Sequence, residues 1–144
     1  MSDTVNPPGW PRPSGYSNGI VAEGRYVAVA GQIGWNERNE LVSEDFLEQA
    51  RQALRNVVGV VRAAGGGPEH LVRLTWYVTD KNDYRAALKE LGASYREIVG
   101  EHYPAMALVQ VAGLLEEGAK VEIEATAVLP ASPAPARRDD SVKA

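Results

Sequence analysis

The chain has 144 residues, a length that suits one domain of ordinary size and is too short for two. Lys and Arg number 15 against 19 Asp and Glu, and the net charge of −4 argues against a general binder of nucleic acid. The absence of cysteine excludes disulfides, thiolate metal sites and a cysteine nucleophile. His70 and His102 lie too far apart in sequence to form a helical zinc pair, so we expect neither a metal nor a cofactor.

The two ends of the chain differ in composition from its middle. Residues 1–18 hold four of the nine prolines and have no apolar period, which predicts an N-terminal arm. Residues 130–144 are rich in Pro, Ala and charge, which predicts a disordered tail. A single domain over residues 19–129 remains. Since no secretion signal and no membrane-length apolar run is present, we expect a cytoplasmic protein that does not bind membranes.

Two segments have the apolar spacing of amphipathic helices. In the first, residues 44–64, apolar side chains recur three to four positions apart, and Ser43 is the predicted N-cap. The second covers residues 82–99, with Asp80 or Asn82 as the N-cap. Gly92 interrupts its apolar stripe, which predicts close packing at that position.

Strand patterns fill the rest of the domain in the order ββαβαββ. The predicted strands are Gly19–Val21, Tyr26–Ala30, residues 72–78, Met106–Val111 and residues 120–129. This order predicts an α+β fold in which two helices pack on one face of a mixed sheet. The other face carries Arg73, Thr75 and Tyr77, and such an uncovered, partly apolar face predicts self-association.

Candidate catalytic residues are few, because the chain has no nucleophile elbow, no P-loop and no dinucleotide-binding glycine motif. Glu122 and Glu124 lie on the polar face of the last predicted strand. Either carboxylate could act as a general base, or the pair could be solvated and neutralised by Lys120 or Arg73, and the pattern alone leaves both possibilities open.

Four segments together resemble the Rid family, the reactive intermediate deaminases, also called the YjgF family and formerly labelled endoribonuclease L-PSP. They are Val29–Gly34, Gln49–Asn56, Ala63–Gly65 and Val121–Ala125. The resemblance covers about residues 15–129. It implies a chorismate-mutase-like fold, a homotrimer whose sheets form a central barrel, and small-molecule clefts between subunits.

The resemblance also implies roles for particular residues. Glu122 would hold the water that attacks an imine carbon, and Tyr16 would close the cleft from a neighbouring subunit. Gly31, Met106 and Ala107 would contact the substrate. Deaminating members have Pro-Ala-Arg where this chain has Pro104-Ala105-Met106, so the arginine that pairs with the substrate carboxylate is missing. Ala30 similarly stands where hydrolytic members often have Ser or Thr.

Two functions therefore stay open. One is a deaminase-type hydrolase of an imine, an enamine or an aminomuconate-like metabolite. The other is a non-catalytic trimeric protein that binds or senses a small molecule. Ribonuclease activity or translation inhibition is disfavoured by the acidic balance and by the lack of a histidine pair. If the cleft does bind a carboxylate, the first candidates for the cation are Arg12, Arg25 and Arg73.

Overall fold

The computed structural model describes residues 2–131, so the predicted tail over residues 130–144 falls almost entirely outside the described residues. The strands are β1 (Ser2–Val5), β2 (Gly19–Ala22), β3 (Arg25–Gln32), β4 (Leu71–Val78), β5 (Ala105–Gln110) and β6 (Val121–Leu129). The helices are α1 (Phe46–Ala63), α2 (Lys81–Ala86) and α3 (Leu88–Ile98), and a short 3₁₀ turn, Pro68–His70, leads into β4.

Four strands form the main sheet in the order β3-β6-β4-β5. Strand β6 is antiparallel to both of its neighbours, whereas β4 and β5 are parallel. In β6, and in β4 from Leu74 onward, every second side chain is buried, as the alternating sequence pattern requires, and Leu74 and Ile123 are fully enclosed. The predicted α+β fold with a mixed sheet is confirmed.

Helix α1 supplies the apolar surface that covers this sheet. Leu54, Val57 and Val61 recur at helical spacing and are fully buried. The helix begins two residues later than predicted, because Asp45 and not Ser43 is the N-cap. The Asp45 carboxylate accepts a hydrogen bond from the backbone N–H of Glu48 at 3.1 Å, while the Ser43 hydroxyl accepts one from the backbone N–H of Asp45.

The prediction of two helices is wrong for the second segment, which is broken into α2 and α3. Asp80 caps α2, as expected, by accepting a hydrogen bond from the backbone N–H of Asn82. At Ala87 the backbone leaves helical geometry, with φ −99° and ψ 7°, and its N–H is shared between the carbonyls of Asp83 and Tyr84. Three helices, not two, therefore accompany the sheet.

The N-terminal residues contain a strand that the sequence analysis did not predict. Strand β1 is exposed throughout and pairs antiparallel with β2 in a separate two-stranded sheet. Because none of its side chains is buried, β1 has no apolar alternation that could reveal it. Strand β2 lies close to its predicted position but pairs with β1 and not with β3. The division into arm, domain and tail stays a prediction.

The face of the main sheet opposite α1 carries the polar side chains of β4 and β6. Within residues 2–131 no helix packs on it, and Tyr26 on β3 is 70% exposed there. None of the helices in the described part of the chain has the length and apolar character needed to cross a bilayer.

Candidate functional site

A cavity of about 480 Å³ opens beside the edge strand β5, on the sheet face that bears the helices. It lies between β5, the α2–α3 segment and the chain that leads into β2. Aromatic rings form much of its wall: Tyr16, Trp76, Tyr84, Tyr95 and Tyr103. A concave, largely apolar cavity with a few polar groups is the usual form of a small-molecule site.

The segment that carries Tyr16 is attached to the start of β5. Ser17 forms an isolated parallel bridge with Ala105, and its N–H donates to the carbonyl of Pro104 at 3.1 Å. Its hydroxyl donates to the carbonyl of Tyr103 at 2.5 Å. These three contacts hold Tyr16, which is 42% exposed, at the mouth of the cavity.

The aromatic wall is held together by ring contacts and by one buried hydrogen bond. Tyr95 stacks on Tyr103 with centroids 5.5 Å apart, and its hydroxyl donates to the carbonyl of His102 at 2.7 Å. Trp76 meets Tyr84 edge-on at 6.1 Å. Burial raises the pKa of Tyr84, and burial together with the neighbouring Tyr103 raises the pKa of Tyr95. Both phenols therefore stay neutral at physiological pH.

Met106 contributes to the apolar part of the cavity. Its register partner on β4 is Leu74, so its side chain lies on the helix-bearing face, where it packs against the core. Ala107 also borders the cavity and pairs with Thr75. A methionine offers a flexible, polarisable surface and no charge. The remaining aliphatic lining comes from Leu88, Leu91 and Leu108.

Arg96 is the functional candidate that the sequence analysis missed. It lies on α3 and is, among residues 2–131, the single charged residue that lines the cavity. The arginines proposed from the sequence are elsewhere: Arg12 borders a separate polar cavity near the N-terminal segment, Arg73 borders another near β2, and Arg25 does not line the aromatic cavity. No sequence pattern distinguishes Arg96 from the other exposed arginines, because its place beside the cavity is visible only in the folded chain.

Gly31 and Glu122 lie together on the opposite face of the sheet. The β3–β6 register shifts between Val29 and Gln32, so a β-bulge places Gly31 against Glu122. A Cβ at Gly31 would overlap Oε2 of Glu122 and lie 2.8 Å from its Cδ. The glycine thus leaves the space that the carboxylate occupies, since no side chain could share it.

The hydrogen-bond partner of Glu124 is Tyr77, and not Lys120 or Arg73, which were considered from the sequence. The Tyr77 hydroxyl donates to Oε1 of Glu124 at 2.6 Å. This hydrogen bond is the main cause of the raised pKa of Tyr77, with smaller contributions from burial and from the charges of Glu124 and Glu122. The Glu124 carboxylate therefore has a hydrogen-bond donor, whereas no hydrogen bond of the Glu122 carboxylate is found within residues 2–131.

The predicted site residues thus form two groups within one chain. Tyr16, Met106 and Ala107 line the aromatic cavity, whereas Gly31 and Glu122 lie on the open face of the sheet. Strand β4 separates β6, which carries Glu122, from β5, which borders the cavity. A single chain does not bring the two groups together.

Other residues of the recognisable segments have structural partners. Gln49 is fully buried, its side-chain N–H groups donate to the carbonyls of Ser43 and Gly118, and its oxygen accepts from the backbone N–H of Lys120. His102 lies outside these segments, and its Nε2 donates to the carbonyl of Leu71 at 2.6 Å, so the fold holds this histidine in place. Over residues 2–131 no cluster of three potential metal ligands occurs.

The geometry thus defines an α+β protein with a ligand-sized cavity beside an edge strand. Comparison with known proteins identifies its family. The family model described as Endoribonuclease L-PSP matches residues 11–129. A 2-iminobutanoate/2-iminopropanoate deaminase of Salmonella typhimurium is 37% identical over 132 residues, covering 89% of this chain and 98% of that protein. The human deaminase of the same name is 33% identical, covering 78% and 79%. The chain belongs to the Rid (YjgF) family.

Solved structures agree with this assignment. A Rid-family protein of Yersinia pestis matches with a TM-score of 0.76 at 35% identity, covering 89% of this chain and 98% of that one. Escherichia coli TdcF with bound serine matches with a TM-score of 0.65 at 33% identity, covering 88% and 98%. The family resemblance drawn from the sequence is confirmed, whereas the individual site residues stay predictions.

Proposed function

We propose that the protein is a deaminase-type hydrolase of an imine or enamine, active as a homotrimer with its ligand clefts between subunits. The observation that carries this proposal is the Glu122 carboxylate, which lies over Gly31 at a bulge on an uncovered sheet face. The names of the deaminases of Salmonella typhimurium and human give the reaction class. Assembly would explain why the two groups of site residues lie apart in one chain.

In the proposed reaction Glu122 is the general base. It takes a proton from a water molecule whose oxygen bonds to the imine carbon, while the imine nitrogen gains a proton. The carbinolamine formed in this way then loses ammonia: its hydroxyl proton passes to the amino nitrogen as the C–N bond breaks, which leaves the carbonyl compound. One imine and one water thus give one carbonyl compound and one ammonia, and no redox partner is needed.

Met106 supports a second candidate, a trimeric binding protein without turnover. Methionine cannot form the bidentate ion pair that an arginine makes with a carboxylate. A cavity that keeps its aromatic wall but has no arginine at position 106 could retain a ligand without orienting it for hydrolysis. The two candidates differ in one measurable quantity, the ammonia released from imines and enamines.

The deciding experiment is a coupled ammonia assay with the full-length protein. Imines are generated in place by an amino-acid oxidase from short and from aromatic amino acids, and an aminomuconate-like enamine is added to the panel. Release above the spontaneous rate with any member supports the hydrolase. Binding of these compounds without any acceleration supports the second candidate and contradicts the first.

The trimer is tested separately by light scattering. Because the uncovered sheet face predicts self-association, we expect a mass about three times that of the 15.5 kDa chain. A protein that stays monomeric at micromolar concentration would contradict the cleft between subunits and, with it, the proposed assembly of the site.

Changing Met106 to Arg should bring activity toward short 2-imino acids. A charge-assisted pair in a partly buried site contributes on the order of 1.5–3 kcal/mol, so we expect at least a tenfold gain in kcat/KM for 2-iminopropanoate. Met106→Leu is the matched control, because it keeps the volume and adds no charge. Rapid hydrolysis of 2-iminopropanoate by the unmodified protein, or equal activity of both variants, would contradict the role assigned to position 106.

A further inference from the structure

We infer that Arg96 is the anion-binding group of the aromatic cavity, and that its ligand is a carboxylate with a flat apolar body, such as an aryl-substituted imino or keto acid. The inference rests on the proposed function insofar as the cavity is taken to be a ligand site. It adds the chemical class of the ligand and a residue that determines specificity.

The position of the guanidinium is the first observation. Arg96 lies one turn after Gly92 on α3, and a Cβ built on Gly92 would lie 3.6 Å from Nη1 of Arg96. The arginine side chain therefore folds back along its own helix and over Gly92. Both residues line the cavity. The close packing predicted at Gly92 is absent: among residues 2–131, and apart from the backbone of α3 itself, this guanidinium is the only group within 4 Å of the added Cβ.

The charge of Arg96 is the second observation. No hydrogen bond or ion pair joins it to another residue over the described range 2–131, although the chain is acidic overall. Among residues 2–131 no carboxylate lines the cavity, and Tyr84 and Tyr95, whose pKa values are raised above the usual value, are neutral at physiological pH. An unopposed cation beside an apolar cavity attracts a ligand that carries one negative charge and an apolar remainder.

The shape and chemistry of the cavity wall indicate the apolar part of the ligand. Five aromatic residues and four longer aliphatic side chains, Met106 among them, leave little polar surface for a small hydrophilic acid. Flat apolar groups stack favourably on such rings.

Position 96 and position 106 would serve different ligands. Met106 lies on β5, is partly buried and packs against the core, whereas Arg96 is exposed on α3. A short acid cannot fill the apolar wall while its carboxylate contacts Arg96. An aryl acid can do both, with the ring inside and the carboxylate at the edge.

The test measures binding and not turnover, with the full-length protein and stable probes. The probes are 3-phenylpropanoate, its neutral amide 3-phenylpropanamide, and propanoate, titrated by calorimetry. We expect 3-phenylpropanoate to bind at least fivefold more tightly than the amide and far more tightly than propanoate. Because Arg96 is exposed, raising the salt concentration should weaken binding of the carboxylate and leave the amide unchanged.

Two variants and one control locate the interaction. Arg96→Gln should weaken the binding of 3-phenylpropanoate about fivefold and abolish the salt dependence of that binding. It should leave the affinity for the amide unchanged. Gly92→Met should weaken the binding of both ring-bearing probes, because the methionine side chain extends into the cavity. Arg85→Gln removes the same charge from an exposed position on α2 outside the cavity and should change nothing.

Equal affinity of the unmodified protein for the carboxylate and the amide would overturn the inference, as would equal effects of Arg96→Gln and Arg85→Gln. Unchanged binding of the ring-bearing probes to the Gly92→Met variant would show that they do not bind in the aromatic cavity. Failure of the hydrolase proposal gives a different result, since the aryl carboxylate would still bind through Arg96 while the ammonia assay showed no release.

Discussion

Replacing Glu122 with Gln should lower the rate of imine hydrolysis at least a hundredfold while the fold and the assembly stay intact. A positioned general base contributes roughly a hundredfold to ten-thousandfold to such a reaction. Gln keeps the size and the hydrogen-bonding capacity of the side chain but cannot accept the proton of the attacking water. The measurement is kcat/KM from ammonia release, together with the mass from light scattering.

Glu124→Gln is the matched control, because it removes the same charge from the same face of β6. Glu124 accepts a hydrogen bond from Tyr77, so its replacement should alter that contact and leave most of the hydrolysis. If Glu122→Gln retained the activity of the unmodified protein, or if both variants lost it equally, Glu122 would not be the base.

Gly31→Ala tests the same arrangement from the other side of the contact. The new methyl group would occupy the space of the Glu122 carboxylate and force it to swing away. Since the group displaced is the far end of a flexible side chain, the cost in stability should be small. The same substitution at Gly59, which is exposed on α1 with nothing within 4 Å of the added carbon, is the control and should not alter activity.

The fold could largely be predicted because its signals are local. Alternation in β4 and β6 and helical spacing in α1 each reflect burial on one side of an element, so they are visible in the sequence. The break at Ala87 and the strand β1 could not be predicted in this way. Ala87 is a good helix former, and the exposed β1 owes its pairing to β2 and not to an apolar face.

The candidate site was predictable only in part, for a related reason. The family resemblance implied roles for Tyr16, Gly31, Met106 and Glu122, but the separation of these residues into two groups depends on strand register. Met106 pairs with Leu74 and faces the helices, whereas Glu122 pairs with Tyr77 on the opposite face. Arg96 carried no signal at all, because an exposed arginine on a helix is ordinary until the neighbouring cavity is known.

Replacing Gln49 with Ala should cause a large loss of stability. Its side chain is fully buried in α1 and links three backbone groups, at Ser43, Gly118 and Lys120, with distances of 2.9, 3.0 and 2.8 Å. Truncation would leave these groups unpaired and create a small cavity. We expect the free energy of unfolding to fall by about 3 kcal/mol.

Gln52→Ala is the matched control for this loss, since Gln52 lies on the same helix but is only half-buried and bonds to the side chain of Asn56. Its replacement should lower the free energy of unfolding by about 1 kcal/mol or less. The free energy of unfolding of both variants is measured by urea denaturation at one fixed protein concentration, because dissociation of an oligomer makes the midpoint of unfolding depend on concentration. Since the three partners of Gln49 belong to the segments before α1 and before β6, its loss should also free these two loops from the helix. A variant as stable as the unmodified protein would show that these loops are held by other contacts.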